Sequence, residues 1–261
     1  MTSRAAAPRA VFITGGSSGI GEALARHYAA QGARVGLFAR REAELTRVAS
    51  SLAPAKVATY PGDVRDAAAL AQAARDFLDR VGTPQVVVAN AGVSRGTLTE
   101  FAEDLPAFRA VLETNVLGLV NTFQPFIAPM RAAGGGTLVG IASVAGFRGL
   151  PGSGAYSASK AAAIGYLESL RVELRGSGIA VVTVCPGYIA TPMTARNPYR
   201  MPFLMQADVA ARRIAGAIER RKRFYVVPWQ MAIAGRVFRA LPRPLYDRLL
   251  AHGPRKPRRD G

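Results

Sequence analysis

Cysteine is nearly absent from this chain: Cys185 stands alone among 261 residues, so no internal disulfide can form. A reducing compartment is the natural expectation. No run of apolar residues approaches the ~18 that a spanning helix requires, and Ala10–Ile13 is too brief for a signal core. The expected location is therefore the cytoplasm. Lysine is scarce, at four residues against 30 arginines, and histidine occurs twice. With so few sulfur and imidazole groups no metal-ligand spacing arises, and no metal is expected.

Acidic residues are outnumbered, 17 against 34 Lys and Arg, giving a net charge of +17. The imbalance is uneven. From Arg196 onward there are 16 Lys and Arg against 4 acids, whereas the preceding 195 residues hold 18 against 13. Nucleic acid, anionic lipid or an acidic partner could each use such a footprint. Zinc spacing, a recognition-helix signature and RNA-binding aromatic motifs are all missing, so no nucleic-acid partner is expected.

What is present is an apolar fraction of 49 %, ample for a sheet covered on both faces. Short apolar runs alternate with helical patterns, which argues for repeated βαβ units and a parallel sheet. Strands are predicted over 11–14, 35–38, 56–60, 85–89, 137–142, 179–185 and 224–227. Helices are predicted to about Gln31 and over 41–52, 67–80, 105–131, 156–175 and 207–221. Asp66 is the expected N-cap of 67–80. Pro125 and Pro129 should kink or end the long fourth helix.

The first strand runs into Thr14-Gly15-Gly16-Ser17-Ser18-Gly19-Ile20-Gly21. Residues without Cβ at such a turn let backbone N–H groups and a helix N-terminus approach phosphate. Taken singly, a glycine turn is often only a loop, and this G-x-x-x-G-x-G spacing is not the general dinucleotide fingerprint. Downstream, Tyr156 and Lys160 stand at i and i+4, on one face of a predicted helix. A phenol near its reference pKa of about 10 accepts protons poorly, and a nearby cation favours its phenolate. Ser143, at a strand end thirteen residues earlier, can hold a substrate oxygen. Asn115, in Glu113-Thr114-Asn115-Val116, is a polar residue in an apolar helix, and by itself reads as a satisfied core amide.

These motifs, with Asn90-Ala91-Gly92 and Pro186-Gly187-Tyr188-Ile189-Ala190-Thr191, resemble the short-chain dehydrogenase/reductase family in order and spacing over residues 10 to about 227. The resemblance implies a single α/β, Rossmann-type doubly wound domain with a seven-stranded parallel sheet and helices on both faces. It implies NAD(H) or NADP(H) as cosubstrate and interconversion of a carbonyl and an alcohol. Gly15, Ser17, Ser18, Gly19, Ile20 and Gly21 would cradle the pyrophosphate. Asp63 and Val64 would flank the adenine, Asn90, Ala91 and Gly92 would form the turn beside the cofactor, and Pro186, Gly187, Ile189 and Thr191 would border the nicotinamide. Tyr156 would be the general acid/base, Ser143 the substrate-oxygen donor, Lys160 a tuner and ribose ligand, and Asn115 the anchor of a proton relay. A catalytically idle nucleotide-binding scaffold or sensor on the same fold is the competing reading.

The nucleotide choice follows from charge. An acid at the end of the second strand would bind the ribose 2′-OH. Here Phe38-Ala39-Arg40-Arg41 offers no carboxylate, and Arg40 and Arg41 suit a 2′-phosphate. NADP(H) is therefore the preferred cofactor, with NAD(H) still allowed. The loop after Thr191 carries Pro192, Met193, Tyr199, Met201, Pro202, Phe203, Leu204 and Met205, which suits a bulky apolar, lipid-like or polycyclic substrate.

The expected organisation is a flexible N-terminus (1–9), the catalytic domain (10–227), a C-terminal helical extension (228–253) and a basic flexible tail (254–261). Helices are predicted over 230–241 and 245–251, the first with an apolar stripe of Met231, Ala234, Phe238 and Leu241. That extension can pack as a cover for the active site, form a dimer arm, or touch a membrane peripherally through 229–251. A homodimer or homotetramer is expected.

Overall fold

The computed structural model describes residues 9–251, 253 and 255–258. The N-terminal segment read as flexible lies, apart from Arg9, outside the described residues.

Chain order is strictly alternating at first: β1 (Ala10–Thr14), α1 (Gly19–Ala30), β2 (Arg34–Ala39), α2 (Glu42–Ser51), β3 (Val57–Pro61), α3 (Ala67–Arg80) and β4 (Val86–Ala89). There follow α4 (Leu105–Leu112), α5 (Gly118–Ala132), β5 (Gly136–Ile141), α6 (Gly154–Glu173) and β6 (Ile179–Pro186). Seven strands make one parallel sheet in the order β3-β2-β1-β4-β5-β6-β9, where β9 is Phe224–Val227. Apart from the long fourth helix, boundaries fall within two residues of those read from the sequence. Asp66 caps α3 as expected, its Oδ1 accepting from the Ala69 N–H at 3.0 Å.

Period-two alternation sends β1 to both faces. Val11 and Ile13 join one buried cluster with Leu24, Tyr28, Leu45 and Ile214, under α1, α2 and α8 (Ala207–Glu219). Phe12 joins the other with Phe77, Phe123, Phe126, Met130 and Leu167, under α3, α5 and α6. The C-terminal ends of all seven strands therefore share one rim, and strand order reverses between β1 and β4.

Three features depart from the sequence reading. The long helix is neither ended nor broken at Pro125 or Pro129, both of which lie inside α5. Phe123, Phe126 and Met130 are fully buried on the sheet, and that packing outweighs the roughly 3 kcal/mol handicap of a helical proline. The irregularity instead falls earlier, as a turn of π-helix over Glu113–Leu117 that contains Asn115. The loop after β6 is also more ordered than expected. It forms β7 (Ile189–Ala190), the short α7 (Pro192–Ala195) and β8 (Met205–Gln206), with β7 and β8 paired in parallel.

Thirdly, the segment read as a flexible basic tail is seated on the body over its described part. Lys256 Nζ lies 2.8 Å from Ser94 Oγ. Arg258 donates to Asp104 Oδ2 at 2.8 Å and to Glu103 Oε1 at 3.1 Å, and stacks 3.4 Å from the Phe101 ring centroid. Hydroxyl, acidic and aromatic partners 154–162 residues away in sequence hold these cations; Pro254 and 259–261 lie outside the described residues.

Gly36, in the middle of β2, tests the packing. A Cβ there would lie 2.6 Å from Phe77 Cδ2 and 2.8 Å from Phe12 Cδ2, inside a cluster whose rings meet edge to face at 5.3 Å. Gly36→Ala should lower unfolding free energy by about 1–3 kcal/mol, read from urea denaturation midpoints. An unchanged midpoint would mean that the rings shift freely.

Candidate active site

One cleft at the strand-order reversal is lined by residues from six separate loops. It gathers Gly15, Ser17, Ser18, Gly19 and Ile20 after β1, Arg40 and Arg41 after β2, and Asp63 and Val64 after β3. Asn90, Ala91 and Gly92 come from the end of β4, and Ser143 from the end of β5. Tyr156 and Lys160 project from α6, while Pro186, Gly187, Ile189 and Thr191 complete the rim. Gly21 and Asn115 stand behind the wall instead of lining it.

The glycine turn is shaped by close backbone approach. Gly15 and Gly19 adopt φ of +68° and +59°, a region that side chains with Cβ rarely occupy. A Cβ on Gly15 would sit 2.8 Å from Ala91 Cα, and one on Gly21 would strike the Gly15 carbonyl. Asn90 ties the two strand ends together: Nδ2 donates to the carbonyls of Thr14 and Gly15, each at 3.1 Å. Ser18 at the N-cap of α1 makes no side-chain cap. The first-turn N–H groups, with the positive end of the helix dipole, thus face the cleft and fit an anionic group.

Beside this turn, Arg41 Nη2 lies 3.2 Å from Ser18 Oγ and 3.5 Å from Ser17 Oγ, while Arg40 lines the same end. Ala39 leaves no carboxylate there. Asp63 is less available than its sequence position suggested. Its Oδ2 pairs with Arg65 Nη2 at 2.7 Å and its Oδ1 accepts from the Arg65 N–H, which holds the carboxyl below its usual range. It caps its own turn while bordering the cleft.

The four residues expected to carry chemistry are brought together, in different ways. Ser143 caps the turn after β5, its Oγ accepting from the Ala145 N–H at 3.1 Å. Lys160 is buried and donates to the Ile141 carbonyl at 2.8 Å. Its Nζ lies 5.8 Å from the Tyr156 ring centroid. Asn115 is held by three bonds: Oδ1 accepts from the Val93 N–H, and Nδ2 donates to the Val93 carbonyl and to Ser159 Oγ. A Cβ placed on Gly92 would touch both Asn115 Oδ1, at 3.2 Å, and Lys160 Nζ, at 3.5 Å. The amide and the ammonium therefore border one small space.

Burial, more than charge, sets the electrostatics. Desolvation pushes the Tyr156 phenol above its ordinary range, and a hydrogen bond with Ser143 works in the opposite sense. Desolvation also depresses Lys160 to about 8. Burial thus favours the neutral form of both groups. Cys185, buried nearby, is pushed up to about 12 by the same cause, which leaves it an inert thiol.

Sequence reasoning passed over Gly62, Val93, Thr114, Ile141 and Ala142, which also line the cleft. Adjacency to a motif was the one signal available for most of them. Met193 lines the cleft from α7, as the apolar loop suggested. The C-terminal extension forms α9 (Trp229–Ala240) and α10 (Arg243–Leu250). It reinforces the nearby rim, since a Cβ on Gly187 would lie 2.6 Å from Met231 Cγ.

Lys160 binds its proton less tightly in the folded state than the usual lysine range near 10.4 allows. Between about pH 8 and that range the unfolded chain holds more protons, so this group's contribution to stability rises with pH. Comparing urea unfolding of the wild type and Lys160→Met across this window should show wild type gaining on the order of 3 kcal/mol relative to the variant. A constant difference would place the Lys160 pKa near its ordinary value.

Residues 9–200 match the short chain dehydrogenase family. The chain is 40 % identical over 243 residues to an uncharacterized oxidoreductase of Myxococcus xanthus, covering 92 % of this chain and 95 % of that one. It is 31 % identical to a 2-dehydro-3-deoxy-L-rhamnonate dehydrogenase (NAD(+)) of a Sphingomonas strain, over 82 % of this chain and 84 % of the relative. Among solved structures it resembles an alcohol dehydrogenase of the archaeon Thermococcus sibiricus complexed with 5-hydroxy-NADP. That likeness has a TM-score of 0.75 at 26 % identity, over 84 % of this chain and 94 % of the other. A glycine turn, a Tyr–Lys pair on one helix and a serine at a neighbouring strand end, joined in one cleft of a parallel sheet, agree with those matches, and the chain belongs to the short chain dehydrogenase family of oxidoreductases.

Proposed function

We propose that this protein is an NADP(H)-dependent oxidoreductase that interconverts a ketone or aldehyde and an alcohol, on a bulky apolar substrate. The observation that carries the reading is the shared cleft: Tyr156, Ser143 and Lys160 line the same cleft as the uncapped glycine turn. A bound nicotinamide supplies or accepts the hydride. In reduction Tyr156 donates its proton to the substrate oxygen, which Ser143 holds by a hydrogen bond; in oxidation Tyr156 takes that proton back. Lys160, while charged, favours the phenolate and binds the nicotinamide ribose. Asn115, with both amide hydrogens committed to Val93 and Ser159, serves the proton relay through its carbonyl oxygen alone.

Gly15, Ser17, Ser18, Gly19 and Ile20 hold the pyrophosphate in this reading, with Gly21 allowing α1 to pack on the turn. Arg40 and Arg41 take the 2′-phosphate. The preference for NADP(H) is supported by the pair's place beside Ser18 and by the absence of an acid at Ala39. NAD(H) remains usable. Asp63 and Val64 flank the adenine, Asn90, Ala91 and Gly92 support the turn beside it, and Pro186, Gly187, Ile189 and Thr191 border the carboxamide. Met193 in the cleft, with Phe203 and Leu204 exposed on the same loop, supports an apolar substrate. The protein works in the cytoplasm as a homo-oligomer. Leu105, Leu117 and Val172 stand exposed on α4, the π turn and α6, and offer a subunit contact.

Tyr156→Phe should lower kcat by about 10²–10⁴-fold while NADPH binding, followed by its fluorescence, is nearly unchanged. Substantial residual turnover would refute the assignment, and a wild type that turns over no carbonyl would favour an idle nucleotide-binding scaffold. Arg41→Ala should raise the KM for NADPH about tenfold or more and leave NADH kinetics alone; equal effects on both would remove the 2′-phosphate contact. A panel of ketones graded by size and polarity should give its highest kcat/KM with large apolar members, and a preference for small polar carbonyls would reject that substrate class. A monomer in sedimentation velocity at micromolar concentration would reject the oligomer.

A further inference from the structure

Helix α9 carries two apolar stripes, and only one of them packs on the body. Met231 lies over Gly187, the Phe147 ring fills the space at Gly235, and Phe238 meets the Tyr246 ring edge to face. The second stripe, Trp229, Ile233 and Val237, repeats every four residues along one line of the helix. These side chains are 62, 52 and 55 % exposed. On α10, packed against α9 through Phe238 and Tyr246, Leu245 and Leu249 are exposed at the same spacing.

The two helices are firmly held. Arg148 Nη1 donates to the carbonyls of Phe238 and Leu241, each at 2.7 Å, and its guanidinium stacks 4.0 Å from the Tyr246 centroid. The Tyr246 hydroxyl donates to the Gly149 carbonyl. The exposed stripe is therefore a fixed feature of the surface.

The segment that carries it is strongly cationic. Between Arg220 and Ala251 the chain has eight Lys and Arg against the single acid Asp247. Among the described residues, none of those eight cations is in an ion pair. An apolar line on so cationic a segment matches an anionic, partly apolar surface. A second copy would bring like charges face to face. No described helix is long and apolar enough to cross a bilayer, so the contact is made in the plane of the surface.

We propose that the outward face of α9 docks on anionic phospholipid, with Trp229, Ile233 and Val237 entering the headgroup–acyl boundary and Arg236 and Arg239 pairing with lipid phosphate. This contact is independent of the redox reading. It would place the cleft beside a reservoir of apolar compounds.

Trp229 is the chain's one tryptophan, so intrinsic emission reports directly on this face. The full-length protein should cosediment with mixed phosphatidylcholine–phosphatidylglycerol vesicles, its emission shifting to the blue, and bind pure phosphatidylcholine weakly. Added salt should weaken the binding. The double variant Ile233→Asp/Val237→Asp should lose about tenfold or more in vesicle affinity, with its cofactor turnover retained as evidence of folding. Arg236→Gln and Arg239→Gln should each cost about fivefold. Unchanged emission with no cosedimentation overturns the proposal. So does vesicle binding that the double variant leaves intact, which would indicate charge alone. Loss of an oligomer in that variant's sedimentation velocity, without vesicle binding by the wild type, assigns the stripe to a second copy.

Discussion

Asn90 holds together the point on which the whole cleft depends. Its side chain bonds the carbonyls of Thr14 and Gly15, and its backbone N–H reaches Thr14 Oγ1 at 3.2 Å. The ends of β1 and β4 are thereby locked where the sheet changes direction, and the turn between β1 and α1 lies directly against backbone. No side chain fits at Gly15 or Gly21 under that constraint. Parallel pairing then brings every other strand end to the same rim, so loops far apart in sequence face one space.

Within that space, desolvation governs protonation. Tyr156 and Lys160 are buried together on α6, and their pKa values move apart, the phenol up and the ammonium down, each toward the neutral form. Hydrogen bonding organises the same groups. Lys160 is tethered to the end of β5 and Asn115 to the backbone of Val93, while Ser143 is steadied by the turn it caps. The π turn that carries Asn115 sits within an otherwise regular helix, where the extra residue re-aims the side chain without ending the helix.

The C-terminal extension shows how small residues permit close docking. Gly187 and Gly235 leave the space that Met231 and Phe147 occupy, and Arg148 satisfies carbonyls at the end of α9 that no intrahelical donor can reach. The tail follows a different logic. Arg258 inserts between an aromatic face and two carboxylates, a set of partners that charge composition alone does not reveal.

By itself the sequence determined the alternation of strands and helices, because period-two and helical patterns and turn residues are local. It also determined which residues meet at the rim. Their spacing, together with the family resemblance, was enough, since a parallel sheet sends every strand end to one side. Tertiary structure decided matters that depend on neighbours distant in the chain. Pro125 and Pro129 stay helical because Phe123, Phe126 and Met130 are buried beneath them. The tail is drawn to Asp104. Which α9 stripe faces the body was likewise settled by Gly187 on the rim, which admits Met231, and by Gly235 on α9, which admits the Phe147 ring. The direction of the Tyr156 shift was also beyond local reading, because the burial that raises it comes from elements distant in the chain.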